Sequence, residues 1–284
     1  MKLVIAGSKG FIGSNLISIL PKEKYSIFSI DIEDGIDLSR KRDLNKIPKF
    51  DVFVHLANLS YVPESYSNPE SFFKINYLTT LNALELCRKN NARLIYISSY
   101  IYGKPEYLPV DEKHPVKPFN PYAQSKYLCE ILCDGYLRDF GVKTTILRPF
   151  NVYGVGQNGS LLIPEIVQQL TNGLKTIKLK DASPRRDYVN VVDVAKAIKR
   201  CIDTDEKFGK YNICSGKSYS VKEVTDIINS NLTNPVEFSF SESDRINEVN
   251  ETVGSFQKIY FDLNWKPTVS LEEGLKAIIK HKNL

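Results

Sequence analysis

The sequence predicts an α/β chain: a doubly wound parallel sheet, with a smaller α/β lobe partly interleaved with it. Three observations carry this. The chain opens as strand, glycine turn, helix, strand and acidic residue. Short apolar runs then alternate with longer amphipathic segments as far as Tyr153, the order that makes parallel sheets. From Val155 the texture changes to glycine-rich turns, short strands and short helices.

Leu3 to Ala6 is an unbroken apolar run, suited to a strand buried on both faces. Gly7, Gly10 and Gly13 follow at three-residue intervals, and Phe11, Ile12, Leu16, Ile19 and Leu20 fall near helical spacing. A second strand, from Tyr25 to Ile30, ends on Asp31. Each part suits a dinucleotide. Gly7 permits a tight turn, Gly10 lets a pyrophosphate approach the backbone, and Gly13 lets the helix pack on the strand. The helix N-terminus offers unpaired N–H groups to the anion, and Asp31 can accept from ribose hydroxyls. The plain alternative is a turn and a solvated strand end. No Gly-Lys-Ser/Thr ending is present, which argues against an NTP-hydrolysing loop. The sheet is therefore expected to be Rossmann-type. Residues 1–153 are read as the dinucleotide-binding domain, with 191–208 packing back on it. Residues 154–190 and 209–284 are read as the substrate-binding lobe.

At 284 residues the chain can bury a substantial core, and its net charge of +5 is mild and scattered. Neither nucleic acid nor a membrane is expected as a partner, since no apolar run approaches a membrane span. The first strand starts almost at Met1, so no signal peptide is read. Five cysteines with no metal-like spacing suggest a reduced, cytoplasmic protein, and three scattered histidines suggest no zinc site or Ser-His-Asp triad.

Beyond Asp31, about twenty residues leave room for only a short element before the strand Val52–Ala57. Asp37 either reaches an adenine amino group or starts a turn. Pro69 to Asn90 reads as a long helix, apolar on more than one face, followed by a strand, Arg93 to Ile97. Four prolines mark 103–119 as a loop, and Pro121 starts a helix reaching about Phe140. A strand at Thr144–Leu147, a short helix to Leu170 and helices at Val192–Asp203 and from Leu271 complete the reading. Asp31, His55, Ser98 and Asn151 all fall just past strand C-termini, where such sheets bind ligands.

Tyr122 and Lys126 are four apart, on one helix face. A free phenol loses its proton near pH ~10. A neighbouring ammonium, and the positive nicotinamide of an oxidised cofactor, favour the phenolate. Tyr122 then serves as acid or base near neutral pH. Ser98 can hydrogen-bond the substrate oxygen, and Lys126 can hold the nicotinamide ribose. Taken alone, Tyr-x-x-x-Lys is a common accident of amphipathic helices; after the glycine turn and the Ser-rich strand end it is specific.

With these residues in place the chain resembles the extended short-chain dehydrogenase/reductases, in their nucleotide-sugar epimerase/dehydratase branch, and looks most like the UDP-glucose 4-epimerase type. The resemblance runs nearly end to end. It rests on the three glycines, Asp31, His55-Leu56-Ala57, Asn76-x-x-Thr79, Ser98-Ser99, Tyr102-Gly103, Tyr122-x-x-x-Lys126, Arg148-Pro149-x-Asn151-x-Tyr153-Gly154, Arg186-Asp187-Tyr188 and Asp262 to Pro267. It implies Ser98, Tyr122 and Lys126 as the catalytic set, with Ser99 as the fallback for Ser98. It implies cofactor contacts at Gly7, Gly10, Phe11, Ile12, Gly13, Asp31, Asp37, Leu38, Leu56, Ala57, Asn76, Tyr122 and Lys126. Substrate contacts are implied at Ser99, Asn151, Leu162, Arg186 and Arg245, guanidinium groups suiting a diphosphate. For Arg186 the alternative is an ion pair with Asp187.

Two departures matter. Ser98-Ser99-Tyr100 lacks the Thr-Asp-Glu run of sugar 4,6-dehydratases, and Leu161 stands where UDP-galactose epimerases carry an Asn. Lys9 lies where some relatives meet the NADP phosphate, but Asp31 and Glu33 oppose that phosphate, so NAD is expected. The resulting expectation is an NAD-dependent nucleotide-sugar 4-epimerase acting on a nucleotide-diphosphate sugar through a transient 4-keto sugar. The alternatives are an NAD(P)H-dependent nucleotide-4-ketosugar reductase and a non-catalytic NAD(H)-sensing protein. The helices from Pro69 and Pro121 are expected to build a two-fold homodimer.

Overall fold

Leu3 to Ala6 are all buried in β1 (Lys2–Ala6). The computed structural model describes residues 1–284 except 158, 160, 205, 206 and 242–248. After β1 come α1 (Phe11–Ile19) and β2 (Ser26–Ile30), then a 3-10 turn at 32–34 and the short α2 (Lys41–Leu44) in the narrow interval before β3 (Val52–His55). Next are α3 (Val62–Ser67), α4 (Pro69–Asn90), β4 (Arg93–Ile97), α5 (Pro121–Phe140), β5 (Thr144–Pro149) and β6 (Asn151–Tyr153). The remainder is α6 (Leu162–Thr171), β7 (Thr176–Lys180), β8 (Arg185–Asn190), α7 (Val191–Asp203), β9 (Gly209–Ile213), β10 (Ser218–Ser220), α8 (Val221–Asn231), β11 (Glu237–Ser241), α9 (Gln257–Leu263) and α10 (Leu271–Lys282).

The main sheet has the order β2-β1-β3-β4-β5-β9, parallel throughout. Strand alternation sends Leu3, Ile5, Val52, Val54, Ile95 and Ile97 to one face, under α1 and α7. It sends Val4, Ala6, Phe53, Leu94 and Tyr96 to the other, under α4 and α5. The chain winds outward from β1 in one direction to β2 and, after returning to β3, in the other. The switch point therefore lies at the C-terminal ends of β1 and β3, where α/β sheets bind ligands.

Two elements from residue 209 onward pack with the main sheet. β9 pairs in parallel with β5, Tyr211 opposite Leu147. Ile259 and Leu263 of α9, with Trp265, join the core under α1 and α7. Tyr211, Ile213, Ile259, Leu263 and Trp265 are all buried in that core, so we place this part of the tail with the first domain. α7 enters the same core through its buried face.

The smaller lobe has two sheets, β10-β8-β6 and β11-β7. α6, α8 and α10 close its core over Ile177, Leu179 and Tyr188. The tail carries more helix than the sequence reading gave it. α8 and α10 each begin with a Ser-x-x-Glu capping box, Ser220/Glu223 and Ser270/Glu273, which satisfies N–H groups at the helix start.

Candidate functional site

The glycine turn divides its work in an observable way. Gly7 sits at φ 79° at the switch point, where a Cβ would stand 2.9 Å from Ala57 N. A Cβ on Gly13 would lie 2.1 Å from the Gly7 carbonyl. Both glycines are needed by the chain itself. Gly10 is different: it has ordinary backbone angles, and its only close neighbour would be Gly7 O at 3.3 Å. A Cβ there would press on that carbonyl by a few tenths of an ångström and meet nothing else, so the outer side of the turn is open. α1 begins there with no side chain capping it. Phe11 and Ile12, half-buried, open the helix. An open cradle at an uncapped helix N-terminus fits a pyrophosphate.

Asp31 accepts from Lys9 N at 3.0 Å and Glu33 N at 3.3 Å, so its carboxylate is oriented by the glycine turn. The Lys9 ammonium pairs with Asp34 at 2.5 Å and Glu33 at 3.9 Å. The cation near a prospective 2′-phosphate is therefore matched by acid. Asp37 makes a turn in the ligand-free chain. The carboxylate accepts from Ser39 N and Oγ and pairs with Arg40. Leu38 is buried and its carbonyl accepts from Asn82 Nδ2. Leu56 and Ala57 are half-buried beside Gly7, Leu56 N donating to Ala6 O.

Asn76 is fully buried and spends its amide on the chain. It accepts from Leu59 N at 2.8 Å and donates to Leu59 O and Ser125 Oγ. In the ligand-free chain these bonds tie Asn76 of α4 to the loop after β3 and to α5.

Ser98, Tyr122 and Lys126 converge at the end of β4. Lys126 Nζ donates to Ile97 O at 2.6 Å and to Asn58 Oδ1 at 2.5 Å, and stands 4.3 Å from the Tyr96 ring centroid. Burial brings this ammonium down to about 8. Ser98 is buried with its hydroxyl unpartnered among the described residues, a donor held ready for a ligand oxygen. Burial pushes the Tyr122 phenol up, while the Ser99 hydroxyl beside it pulls the other way. Burial outweighs the expected depression in the ligand-free chain, so the phenol is protonated until a ligand brings charge to it.

On the lobe side, Asn151 opens β6 and its amide donates to Asp187 O at 3.0 Å. Arg186 donates to the carbonyls of Arg185 and Val249. The alternative ion pair with Asp187 is not what holds that carboxylate. Asp187 accepts from Ser215 N and Oγ, Gly216 N and Gly254 N. Leu162, at the start of α6, packs on the lobe core. Arg245 lies outside the described residues.

The sequence reading missed Asn58 as the partner of Lys126. It also left His55 without a role. His55 is fully buried, its Nε2 lies 3.2 Å from both Asn58 Nδ2 and Thr80 Oγ1, and burial lowers it to about 3. A strand-end His-x-x-Asn next to the switch point was the available signal. Among the described residues no cluster of metal-ligating side chains occurs, and no helix is long and apolar enough to cross a membrane.

The NAD-dependent epimerase/dehydratase family model matches residues 3–214. A Methanocaldococcus jannaschii protein carrying a provisional UDP-glucose 4-epimerase name is 32% identical, over 98% of this chain and 97% of its own. A GDP-6-deoxy-D-talose 4-dehydrogenase of Aggregatibacter actinomycetemcomitans is 34% identical, over 80% of this chain and 79% of its own. Among solved structures, the NAD complex of Thermus thermophilus UDP-glucose 4-epimerase superposes with a TM-score of 0.88 at 27% identity, covering 100% of this chain and 99% of that one. The NADPH complex of RMD from Pseudomonas aeruginosa gives 0.90 at 29%, covering 99% and 98%.

Proposed function

This chain belongs to the NAD-dependent epimerase/dehydratase family, and on that premise we propose that it is a nucleotide-sugar 4-epimerase that works through a transient 4-keto sugar. The observation that carries this is the convergence of Ser98, Tyr122 and Lys126 on the strand end beside the glycine turn. Gly7, Gly10, Gly13 and the start of α1 hold the NAD pyrophosphate, and Asp31 the adenosine ribose. Bound there, NAD supplies the acceptor and later the donor of a hydride. Tyr122 Oη takes the proton of the sugar hydroxyl as that carbon becomes a ketone, and returns it once the ketone presents its other face. Ser98 Oγ donates to the same oxygen. Lys126 keeps positive charge near the phenol, which favours the phenolate and so makes the base form available near neutral pH. Arg186 and Asn151, on neighbouring strands of the lobe, are assigned to the nucleotide diphosphate.

The acid at the end of β2 favours NAD over a cofactor carrying a 2′-phosphate, and a retained NAD suits a reaction with no net redox change. The test is incubation with a panel of UDP- and GDP-hexoses, read by proton NMR with no added cofactor. Appearance of the C4 epimer supports the proposal. Stoichiometric consumption of added NAD(P)H by a 4-keto sugar, with no epimer formed, favours the reductase reading. Lys9 and the similarity to the NADPH-bound Pseudomonas structure keep that reading in view.

Outward-facing Tyr77 on α4, with Leu128 and Ile131 on α5, supports a homodimer through these helices. The five cysteines are all unpaired and buried, which suits the reducing cytoplasm.

A further inference from the structure

We infer that Asn58 is a positioning residue for this reaction: it fixes where the Lys126 ammonium stands and helps keep it protonated beside Tyr122. The inference rests on the acid–base reading of Tyr122 and Lys126. It starts from what a buried ammonium needs. Lys126 is 2% exposed, and an ammonium out of water is retained only where oxygen atoms or anions replace its hydration.

The groups facing it can be taken element by element. On α5, Cys129 and Cys133 are buried thiols, and Glu130 is occupied by Arg148 of β5 at 2.5 to 3.2 Å. β4 provides the Tyr96 ring and the Ile97 carbonyl. β3 provides His55, which is neutral at physiological pH. No carboxylate therefore contacts Lys126 among the described residues. Two neutral oxygens solvate it, Ile97 O and Asn58 Oδ1. The first is backbone in a buried strand. The second is a side chain, and so the one the sequence can vary.

The amide has only one workable orientation. An ammonium has no acceptor, so Oδ1 must face Lys126. Nδ2 is left to donate to Ala57 O at 2.5 Å and His55 Nε2 at 3.2 Å. That nitrogen must then accept. A protonated His55 would set donor against donor and turn the amide away from Lys126. Burial of His55 keeps it neutral, and the Thr80 hydroxyl lies 3.2 Å from the same ring nitrogen. The chain Thr80, His55, Asn58, Lys126 thus crosses from α4 through the end of β3 to the catalytic helix.

The experiment is the ultraviolet titration of the Tyr122 phenolate in the NAD-bound protein, with the Tyr122→Phe spectrum subtracted, beside pH profiles of kcat. Asn58→Leu keeps the volume and removes the acceptor. Asn58→Asp keeps the acceptor but cancels the lysine's field. In both, phenolate formation and the rising limb of kcat are expected to move to higher pH by about one unit. kcat at pH 7 should fall about tenfold, with KM within about threefold. If the Leu variant does not fold, Asn58→Ala, which removes the acceptor and adds no charge, decides by the same two titrations. A loss of kcat with neither titration displaced, or no loss at all, overturns the inference. Full activity of Tyr122→Phe would instead overturn the acid–base reading beneath it.

Discussion

Gly10 and Gly13 look alike in the sequence and should behave oppositely on substitution. In Gly13→Ala the new methyl would lie 2.1 Å from the Gly7 carbonyl. Backbone against backbone cannot give way, so a loss of about 3 kcal/mol or more in urea unfolding is expected. Gly10→Ala meets nothing closer than 3.3 Å. Its folding free energy should stay within about 1 kcal/mol of the parent, while NAD affinity, read by calorimetry, falls at least about tenfold. Equal damage in both variants would mean that Gly10 serves the fold rather than a ligand. Contacts close along the chain were legible in this way from the sequence. The glycine spacing and Tyr122-x-x-x-Lys126 are local patterns, fixed by turn and helix geometry. Asn58 was not legible, because its bond to Lys126 joins residues 68 apart, and only the parallel order of β3 and β4 brings them together. Asn76 has the same origin. Its bonds to Leu59 and Ser125 join residues 17 and 49 apart and appear only in the fold.

At the scale of elements, the helix carrying Tyr122 and Lys126 is fixed from below. Glu130 of α5 receives Arg148 of β5 in a pair with both side chains at most 3% exposed. Arg148 also donates to Tyr102 Oη, which donates on to Asn212 of β9. Glu130→Ala leaves a buried guanidinium without its carboxylate and should cost about 3–5 kcal/mol in denaturant unfolding. A second bond between elements titrates. Asp203 ends α7 and accepts from Lys199, Lys24 and Tyr25, tying α7 to the start of β2. Burial raises this carboxyl, but those three donors outweigh it and hold the group at about 2. The unfolded value is about 3.9. The contribution is therefore complete above about pH 4 and is lost as pH falls toward 2. In thermal scans across that window, Asp203→Asn should lose less stability than the parent. The alternation of strands and helices showed most of these elements in the sequence. β9 escaped because five residues with a glycine and a lysine at their start carry little apolar signal. Its place is set by the open edge of β5, which is a property of the sheet and not of the segment.

At the scale of the molecule, α4 and α5 lie side by side on one sheet face, burying Ala83, Leu84, Cys87, Cys129 and Cys133 inward. Their outward side keeps Tyr77 at 42%, Leu128 at 46% and Ile131 at 49% exposure. Leu128 and Ile131 are three apart on α5, so they share a face. Apolar side chains grouped on one surface mark an interface more often than a solvated face, and a two-fold arrangement would set each α5 against its copy. Sequence periodicity reported this face as a helix apolar on more than one side. It did not separate the inward stripe from the outward one, which required the sheet. The expected outcome for Leu128→Glu combined with Ile131→Lys is a protein whose light-scattering mass at micromolar concentration is half that of the parent. Since α5 also carries Tyr122 and Lys126, the loss of its partner should loosen the catalytic helix. kcat is then expected to fall several-fold, while NAD affinity, which we assign to Gly10 and Asp31, changes little. A parent that already scatters as a monomer would remove the dimer. A monomeric variant with undiminished kcat would show that the catalytic helix is held by Arg148 and Glu130 alone.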